Sequence, residues 1–192
     1  MKIPIKAKSV FKGKIFEVFQ WEQELYDGSM TTFEALRRPG TIQIIPTIGD
    51  PSMGSGQAKI LLSHEEQPNK PLSYAFLGGR AEEGEEPLVT AKRELLEESG
   101  LESDDWELIK TYESEGKIQW DTYLFVARNS KKIAEQNLDA GEKIEVKEVN
   151  WDEFLDIVCS EKFWSQDIAN DILRMRLDKE KLEEFKRKLF LK

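Results

Sequence analysis

The chain has 192 residues, and its proportions of 39% hydrophobic and 34% charged residues are typical of a folded globular protein rather than a disordered one. Its formal net charge of −9 argues against non-specific binding of nucleic acid, because that binding depends on Lys and Arg neutralising the phosphates. A single cysteine, Cys159, excludes an intrachain disulfide, and with His64 as the one histidine a zinc site built from Cys and His is nearly excluded.

The N-terminal part of the chain is predicted to form a small β extension over residues 1–40. Its first residues lack the long apolar core of a signal peptide, and no apolar run in the chain approaches the roughly 20 residues of a membrane span. We therefore expect a cytoplasmic protein that does not contact a membrane. Apolar and polar residues alternate in pieces over 9–38, and Pro39 and Gly40 then break the chain. This pattern predicts a three-stranded antiparallel meander.

The next part of the chain is predicted to lead from strands into one helix. The predicted segments are a strand at 41–47, a loop rich in Gly, Ser and Pro at 49–57, a buried strand at 59–63, and a short apolar run at 74–77. Residues 87–99 are predicted to form the helix, because Pro87 suits a first helical turn and Gly100 suits a C-terminal cap.

The remaining chain is predicted to add further strands and then helices. The predicted strands lie at 106–112, 118–127 and 143–151, and the predicted helices at 152–158, 163–177 and 178–192. The last helix carries Leu182, Phe185 and Leu189 on one stripe, and we expect this C-terminal helix to dock on its own domain rather than on a partner. The order of elements predicts the α/β class, with a mixed sheet and helices packed against it.

The helix at 87–99 carries a cluster of glutamates. Glu94, Glu97 and Glu98 stand at positions i, i+3 and i+4, so their side chains share one face. Like charges at this spacing repel, and the macrodipole disfavours anions near the C-terminal end of a helix. Such a cluster calls for a cation, and carboxylates without nearby His or Cys favour Mg²⁺ or Mn²⁺. The alternative interpretation is a solvated acidic face.

The residues around this helix follow a longer pattern. From Gly79 to Leu101 the chain has the form Gly-x5-Glu-x7-Arg-Glu-Leu-x-Glu-Glu-x-Gly-Leu. This segment resembles the Nudix box at every fixed position. The resemblance implies a Nudix-type α/β/α sandwich with a mixed sheet over residues 41–177, followed by the C-terminal helix at 178–192. It also implies hydrolysis of a nucleoside diphosphate linked to another moiety.

The resemblance assigns roles to individual residues of the box. By this resemblance the metal ligands would be Glu94, Glu97, Glu98 and the backbone carbonyl of Gly78. Arg93 would orient the acidic cluster, and Glu85 would fix the preceding loop. The glycines that would shape the backbone are Gly79, Gly84 and Gly100.

Hydrolysis by an attacking water also needs a general base. Glu142 lies in a loop before the predicted strand at 143–151, in a place that resembles the loop glutamate of ADP-ribose-type Nudix enzymes. Glu145 is a competing candidate. The alternative interpretation for either residue is a solvated acid without a catalytic role.

Residues outside the box bear on the substrate. The N-terminal strands, which end in Arg37 and Arg38, resemble the extension of ADP-ribose pyrophosphatases, where the extension helps to form a homodimer and lines the substrate site. The resemblance implies a homodimer and makes both arginines candidates for diphosphate or ribose contacts, with a surface pair as the alternative. Trp120 and Tyr123 are candidates for stacking a base, with core packing as the alternative for at least one of them.

The chain departs from that subfamily in three places. Lys117 stands where the subfamily carries a proline, residues 75–79 replace its usual Glu-Leu-Pro-Ala-Gly, and residues 64–70 replace an arginine-rich stretch. The leading hypothesis is Mg²⁺-dependent hydrolysis of ADP-ribose or a related nucleotide sugar to a nucleoside monophosphate and a sugar phosphate. The alternatives are hydrolysis of nucleoside triphosphates or dinucleoside polyphosphates, and a module that senses a nucleotide without cleaving it.

Overall fold

The computed structural model describes residues 2–49, 58–68, 70–114 and 116–191 of the chain. Its strands are β1 (Lys8–Lys12), β2 (Glu17–Glu24), β3 (Met30–Arg37), β4 (Thr41–Ile48), β5 (Lys59–Gln67), β6 (Lys70–Ala75), β7 (Leu101–Glu102), β8 (Asp105–Tyr112), β9 (Ile118–Gln119), β10 (Thr122–Arg128), β11 (Lys131–Lys132) and β12 (Lys143–Val149). Its helices are α1 (Pro87–Ser99), α2 (Trp151–Val158), α3 (Gln166–Met175) and α4 (Lys179–Phe190).

The N-terminal strands β1, β2 and β3 form the predicted antiparallel meander, and β9 extends this sheet in parallel to β3. The prediction of one strand over 118–127 is wrong, because the segment is divided between β9 in this sheet and β10 in another. The break lies at Trp120. Its backbone N–H donates to Oγ of Ser114 (2.7 Å), and its indole N–H donates to Oγ1 of Thr41 (2.9 Å). The backbone N–H of Trp120 is therefore bonded to a side chain and not to a neighbouring strand.

A mixed sheet occupies the centre of the fold, with the strand order β12-β5-β4-β10-β8 and with β6 paired to β5. Strand β10 runs parallel to β4, and the other pairs in this sheet are antiparallel. Successive side chains of a strand point to opposite faces of its sheet. Ile44 and Ile45 of β4 are therefore on opposite faces, yet both are fully buried. Each face of the sheet must be covered.

Helices cover the central sheet on both faces, which confirms the predicted α/β/α sandwich. Helix α1 packs Ala91 and Leu95 against one face. The other face is covered by α2, α3 and α4 through Phe154, Leu155, Val158, Ile168, Ile172, Phe185 and Leu189. Burial of a large apolar side chain stabilises the fold by about 1.5–3 kcal/mol. Helix α4 lies within the predicted range 178–192, and the predicted docking of its apolar stripe on its own domain is confirmed.

Helix α1 has the bounds predicted from the sequence. Pro87 occupies its first turn, and the helix ends at Gly100, which has a φ of 67°. A Cβ at Gly100 would lie 2.0 Å from the carbonyl oxygen of Ala134, so only glycine fits there. The helix therefore ends at a fixed point directly after its glutamates.

The hairpin of β5 and β6 is longer than predicted. Strand β5 continues to Gln67, and β6 begins at Lys70, so the two strands form an antiparallel pair around a short turn. Polar and charged residues dominate this stretch, and an apolar pattern could not reveal it. The predicted loop at 49–57 lies outside the described residues from position 50 onward.

The helices after β12 begin at different residues from those predicted. Trp151 opens α2 instead of ending a strand, because Asn150 forms a capping box with Glu153. Helix α3 begins later than predicted, since the backbone of Phe163 pairs with that of Tyr74. None of the helices that the structure describes is long and apolar enough to cross a membrane.

Arg128 ties α4 to the central sheet. Its side chain is 2% exposed, its Nε donates to the carbonyl oxygen of Lys188 (2.7 Å), and its Nη1 pairs with Asp105 (3.1 Å). A buried cation is stable only when its N–H groups find acceptors. The last turn of α4 therefore serves as part of the surroundings that Arg128 needs.

Candidate active site

A cleft of about 1160 Å³ opens between the N-terminal sheet, residues 78–85, helix α1 and the loop before β12. The predicted site residues that line it are Arg37, Arg38, Gly78, Gly79, Gly84, Glu85, Arg93, Glu94, Glu97, Glu98, Trp120, Tyr123 and Glu142. Gly100 and Glu145 do not line it. The fold thus brings residues from distant parts of the chain to one place.

The segment before α1 lies close against strand β4. The N–H of Ile42 donates to the carbonyl oxygen of Gly79 (2.8 Å), and Gly78 has a φ of 130°. A Cβ at Gly78 would lie 2.3 Å from the carbonyl oxygen of Ile42. The N–H of Gly78 donates to Oε2 of Glu98 at 2.6 Å. Glycine at this position therefore allows the backbone to reach both the strand and a carboxylate of α1.

Glu98 is a buried carboxylate, with 6% of the residue exposed. Burial raises the pKa of Glu98 well above its usual range, and the N–H of Gly78 lowers it in part. The negative charges of Glu94, Glu65 and Glu142 raise this pKa further. A carboxylate in such surroundings is stabilised by a cation that replaces the lost hydration.

Arg93 holds three acidic side chains together. Its Nη1 donates to Glu94 (2.8 Å) and Glu97 (3.0 Å), and its Nε and Nη2 donate to the two oxygens of Glu85 (3.2 and 3.1 Å). The bidentate pair lowers the pKa of Glu85 to about 2. Burial raises the pKa of Glu94, and Arg93 opposes that shift. Arg93 thus bonds to the side chains of Glu85, Glu94 and Glu97, and its role in orienting them stays a prediction.

The acidic cluster offers only oxygen donors, which suit Mg²⁺ or Mn²⁺ better than zinc. The carbonyl of Gly78 accepts no hydrogen bond in the described part of the chain, whereas the carbonyls on either side of it accept from β4. Within the described ranges, no three Asp, Glu, His or Cys side chains have the arrangement of a closed metal site. The buried charge of Glu98 and the unengaged carbonyl both fit a hard cation.

The structure separates the two candidates for the general base. Glu142 is half-buried at the cleft, and burial raises its pKa, with further increases from the charges of Glu65 and Glu97. Glu145 has a side chain that is 65% exposed, and it pairs with Lys147. Of these two candidates, Glu142 is therefore the one that lines the cleft with the acidic cluster.

Arg38 and Trp120 form another wall of the cleft. The guanidinium carbon of Arg38 lies 4.4 Å from the ring centroid of Trp120. Nε of Arg38 is buried, and no described residue accepts a hydrogen bond from it. Burial lowers the pKa of Arg38, and the nearby cation of Arg80 lowers it further. A pair of cations without a carboxylate partner in the described chain is an arrangement that suits phosphate oxygens.

Arg37 and Tyr123 are placed differently from their neighbours. Arg37 donates to Glu17 at 2.6 Å, and its guanidinium lies 4.6 Å from the ring of Phe19, so this cation already has partners. Tyr123 lines the cleft and also packs against the apolar core.

The cleft also contains residues that sequence reasoning missed. Glu65 of β5 is 7% exposed, and Nζ of Lys70 donates to it at 2.6 Å. The same Nζ lies 4.2 Å from the ring centroid of Trp164. Continuing the alternation of β5 beyond Ser63 would have indicated that Glu65 points inward. No local pattern marks Trp164.

Comparisons with known proteins extend these observations. The family model of the NUDIX domain matches residues 52–170. The chain is 32% identical over 165 residues to the methanol dehydrogenase activator of Bacillus methanolicus, covering 83% of this chain and 84% of that protein. It is 29% identical over 178 residues to the ADP-ribose pyrophosphatase of Bacillus subtilis (strain 168), covering 90% and 91%. A crystal structure of an ADP compounds hydrolase shares the fold, with a TM-score of 0.69, 19% identity, and coverage of 93% of this chain and 95% of that one.

Proposed function

Because the chain belongs to the Nudix family and is a Nudix hydrolase, we propose that it is a cytoplasmic enzyme that cleaves a nucleoside diphosphate linked to another moiety. The proposed substrate is ADP-ribose or a related nucleotide sugar, and the products are a nucleoside monophosphate and a sugar phosphate. The observation that carries the proposal is that one cleft is lined both by the buried carboxylate of Glu98 and by Arg38, whose buried Nε has no hydrogen-bond acceptor among the described residues. The name of the Bacillus subtilis relative supports ADP-ribose.

The cation proposed for this cleft is Mg²⁺, with Mn²⁺ as a substitute. The residues that would hold it are Glu94, Glu97, Glu98 and the carbonyl of Gly78. When bound, the ion would neutralise phosphate charge and lower the pKa of the attacking water. Arg93 keeps two of the glutamates in place, and Glu85 in turn holds Arg93.

Other residues of the cleft complete the proposed mechanism. Glu142 accepts a proton from the attacking water, and its raised pKa suits this role because a base works best with a pKa near the working pH. Arg38 binds the diphosphate, and Trp120 stacks against the base. Arg37 contacts the substrate only when its ion pair with Glu17 opens.

The test of the proposed function is a substrate panel in the presence and absence of Mg²⁺, with products detected by mass spectrometry. The panel contains ADP-ribose, other nucleotide sugars, nucleoside triphosphates and dinucleoside polyphosphates. We expect Mg²⁺-dependent release of AMP and ribose phosphate from ADP-ribose. Undiminished turnover in excess chelator would contradict the proposed chemistry, and a strong preference for nucleoside triphosphates would contradict the proposed substrate.

We also propose that the extension at residues 1–40 forms a homodimer. Strands of the N-terminal sheet expose apolar side chains, including Val10 (52%), Phe11 (59%) and Met30 (59%). Exposed apolar side chains such as these are available for contact with a partner. Light scattering of the wild type and of Phe11→Glu tests this: we expect a dimer that the substitution converts to a monomer. A monomeric wild type would contradict the proposal.

A second candidate function is activation of a dehydrogenase. It is favoured by the 32% identity to a protein named methanol dehydrogenase activator. The test is the rate of purified methanol dehydrogenase with and without this protein. A stimulation that persists in Glu98→Gln would show that activation does not need hydrolysis, and no stimulation would remove this candidate.

A further inference from the structure

Trp164 is an exposed aromatic residue between two buried neighbours. Trp164 is 59% exposed and lines the cleft, whereas Phe163 is 1% and Ser165 is 8% exposed. The segment is therefore not a loop lying freely on the surface. The two buried neighbours anchor this stretch of backbone, and the exposed indole between them leaves a large apolar surface available for a ligand.

The backbone around Trp164 is held on both sides. Its N–H donates to the carbonyl oxygen of Tyr74 (2.8 Å), and the N–H of Tyr74 donates to the carbonyl oxygen of Lys162 (2.9 Å). On the other side, Nε2 of Gln43 donates to Oγ of Ser165 (2.5 Å). These bonds fix the position from which the indole projects, so a ring that binds there meets a surface already in place.

Lys70 supports the indole of Trp164. Its Nζ lies 4.2 Å from the ring centroid and 2.6 Å from Oε1 of Glu65, and only 16% of its side chain is exposed. The ammonium is thus held between a buried carboxylate and the aromatic ring. Because Glu65 holds the ammonium in place, the ammonium restricts the orientation of the Trp164 ring.

Trp120 and the residue after Trp164 are both hydrogen-bonded to side chains of strand β4. Trp120 donates to Thr41, and Ser165 accepts from Gln43. Thr41 and Gln43 are two residues apart on β4, so their side chains point to the same face, about 7 Å apart. Both tryptophans line the same cleft, and each has a cation at its ring, at 4.4 Å for Trp120 and 4.2 Å for Trp164.

We propose that Trp164 is a specificity-determining residue that stacks on a second aromatic ring of the substrate. The substrate class then includes diphosphate-bridged dinucleotides, which share the core of ADP-ribose and add a base to the second ribose. This inference rests on the proposed function.

The polar groups beside Trp164 are already paired with each other, Gln43 with Ser165 and Lys70 with Glu65. This pairing favours binding of a flat ring over binding of a sugar, because the hydroxyl groups of a sugar need hydrogen-bond partners. The cleft of about 1160 Å³ is also large for a small ligand.

The experiment compares two substrates that differ only by one adenine: diadenosine diphosphate and ADP-ribose. Their ratio of kcat/KM is measured in the wild type, Trp164→Ala, Trp164→Phe and Trp120→Ala. We expect Trp164→Ala to lower the ratio of diadenosine diphosphate to ADP-ribose by about 10- to 100-fold, the value of one base–aromatic stack. Trp164→Phe should retain most of the wild-type ratio, because phenylalanine can still stack on a base. Trp120→Ala should lower kcat/KM for both substrates.

An unchanged ratio in Trp164→Ala would overturn the inference and leave the proposed function intact. If neither substrate is cleaved by the wild type, the proposed function fails, and calorimetry with Ca²⁺ in place of Mg²⁺ then tests the inference alone. Tighter binding of diadenosine diphosphate than of ADP-ribose, with the difference lost in Trp164→Ala, would support it. Equal affinities in the wild type would overturn it.

Discussion

The acidic side of the cleft and its aromatic walls are assembled in different ways. The glutamates proposed as metal ligands lie on one helix, and the backbone group that holds Glu98 is only 20 residues away in sequence, at Gly78. In the walls, the indole of Trp120 bonds to a residue 79 positions away, and Gln43 bonds to a residue 122 positions away. The proposed metal ligands therefore depend on local sequence, whereas the aromatic walls, like the loop of Glu142, reach the cleft only in the folded chain.

This difference separates variants into two classes. A change on the acidic side should lower the turnover of every substrate by a similar factor, because every substrate passes through the same reaction. A change in the walls should alter KM or the ratio between substrates. An acidic-side variant that changes only the ratio of kcat/KM between two substrates would contradict this division into two classes.

The largest effect is expected for Glu98→Gln. Because Glu98 is a proposed metal ligand, its loss should remove several kcal/mol of transition-state stabilisation, so kcat should fall by about 10³-fold or more for all substrates. The metal-free protein should at the same time be more stable, since a buried charge is removed while the amide oxygen can still accept from Gly78. Steady-state kinetics and thermal unfolding in chelator check the two results. Retention of most of the activity would place the reaction elsewhere.

The next effect concerns Glu142, with Glu145 as the matched control. Glu142→Gln should lower kcat by about 10²-fold, the lower part of the range for general-base catalysis. Because the base must be unprotonated and its pKa is raised, activity of the wild type should fall on the acid side at a pH above the usual range of a glutamate. The substitution should remove this acid limb. Equal losses in Glu142→Gln and Glu145→Gln would rule out a special role for the loop residue.

A smaller effect is expected in the wall, for Arg38→Ala. Loss of one charge-assisted contact to the diphosphate should raise KM by about 10-fold, with little change in kcat. Arg37→Ala is the matched variant, and it should raise KM less because that guanidinium is already paired with Glu17. The reverse order of the two KM values would show that the substrate contacts Arg37 instead.

The smallest effect concerns the pair of Glu85 and Arg93. The folded-state pKa of Glu85 is lowered to about 2, so its stabilising contribution is complete above the unfolded pKa of about 4.3 and is lost as the pH falls toward the folded value. Both side chains are partly exposed, so Glu85→Gln should cost less than about 1 kcal/mol at neutral pH. Urea unfolding at several pH values should show this difference shrinking below about pH 5. A cost that does not vary with pH would contradict the assignment.

The bounds of helix α1 could be predicted because both of its ends carry local signals. Pro87 favours the start, and Gly100 ends the helix in the left-handed conformation that glycine adopts most readily. The strand predicted over 118–127 failed for the opposite reason. The strand is interrupted at Trp120, which bonds to Ser114 and Thr41, and no residue type at this position predicts those bonds.

The site shows the same contrast. The glutamates of α1 could be placed by their spacing, and the structure brings them to the cleft. Lys70 and Trp164 were missed because each is an ordinary residue until strand pairing and helix packing bring the two together. The capping box of Asn150 and Glu153 was a local signal, yet the alternation of the preceding strand masked it.

The burial of Arg128 has a consequence for the C-terminal end of the chain. Its Nε donates to the carbonyl of Lys188, sixty residues later in the chain. A copy that ends before Lys188 would lose this acceptor together with the fully buried side chain of Leu189, so it would be less stable than the complete helix allows. Full stability therefore requires that α4 extend through its last turn.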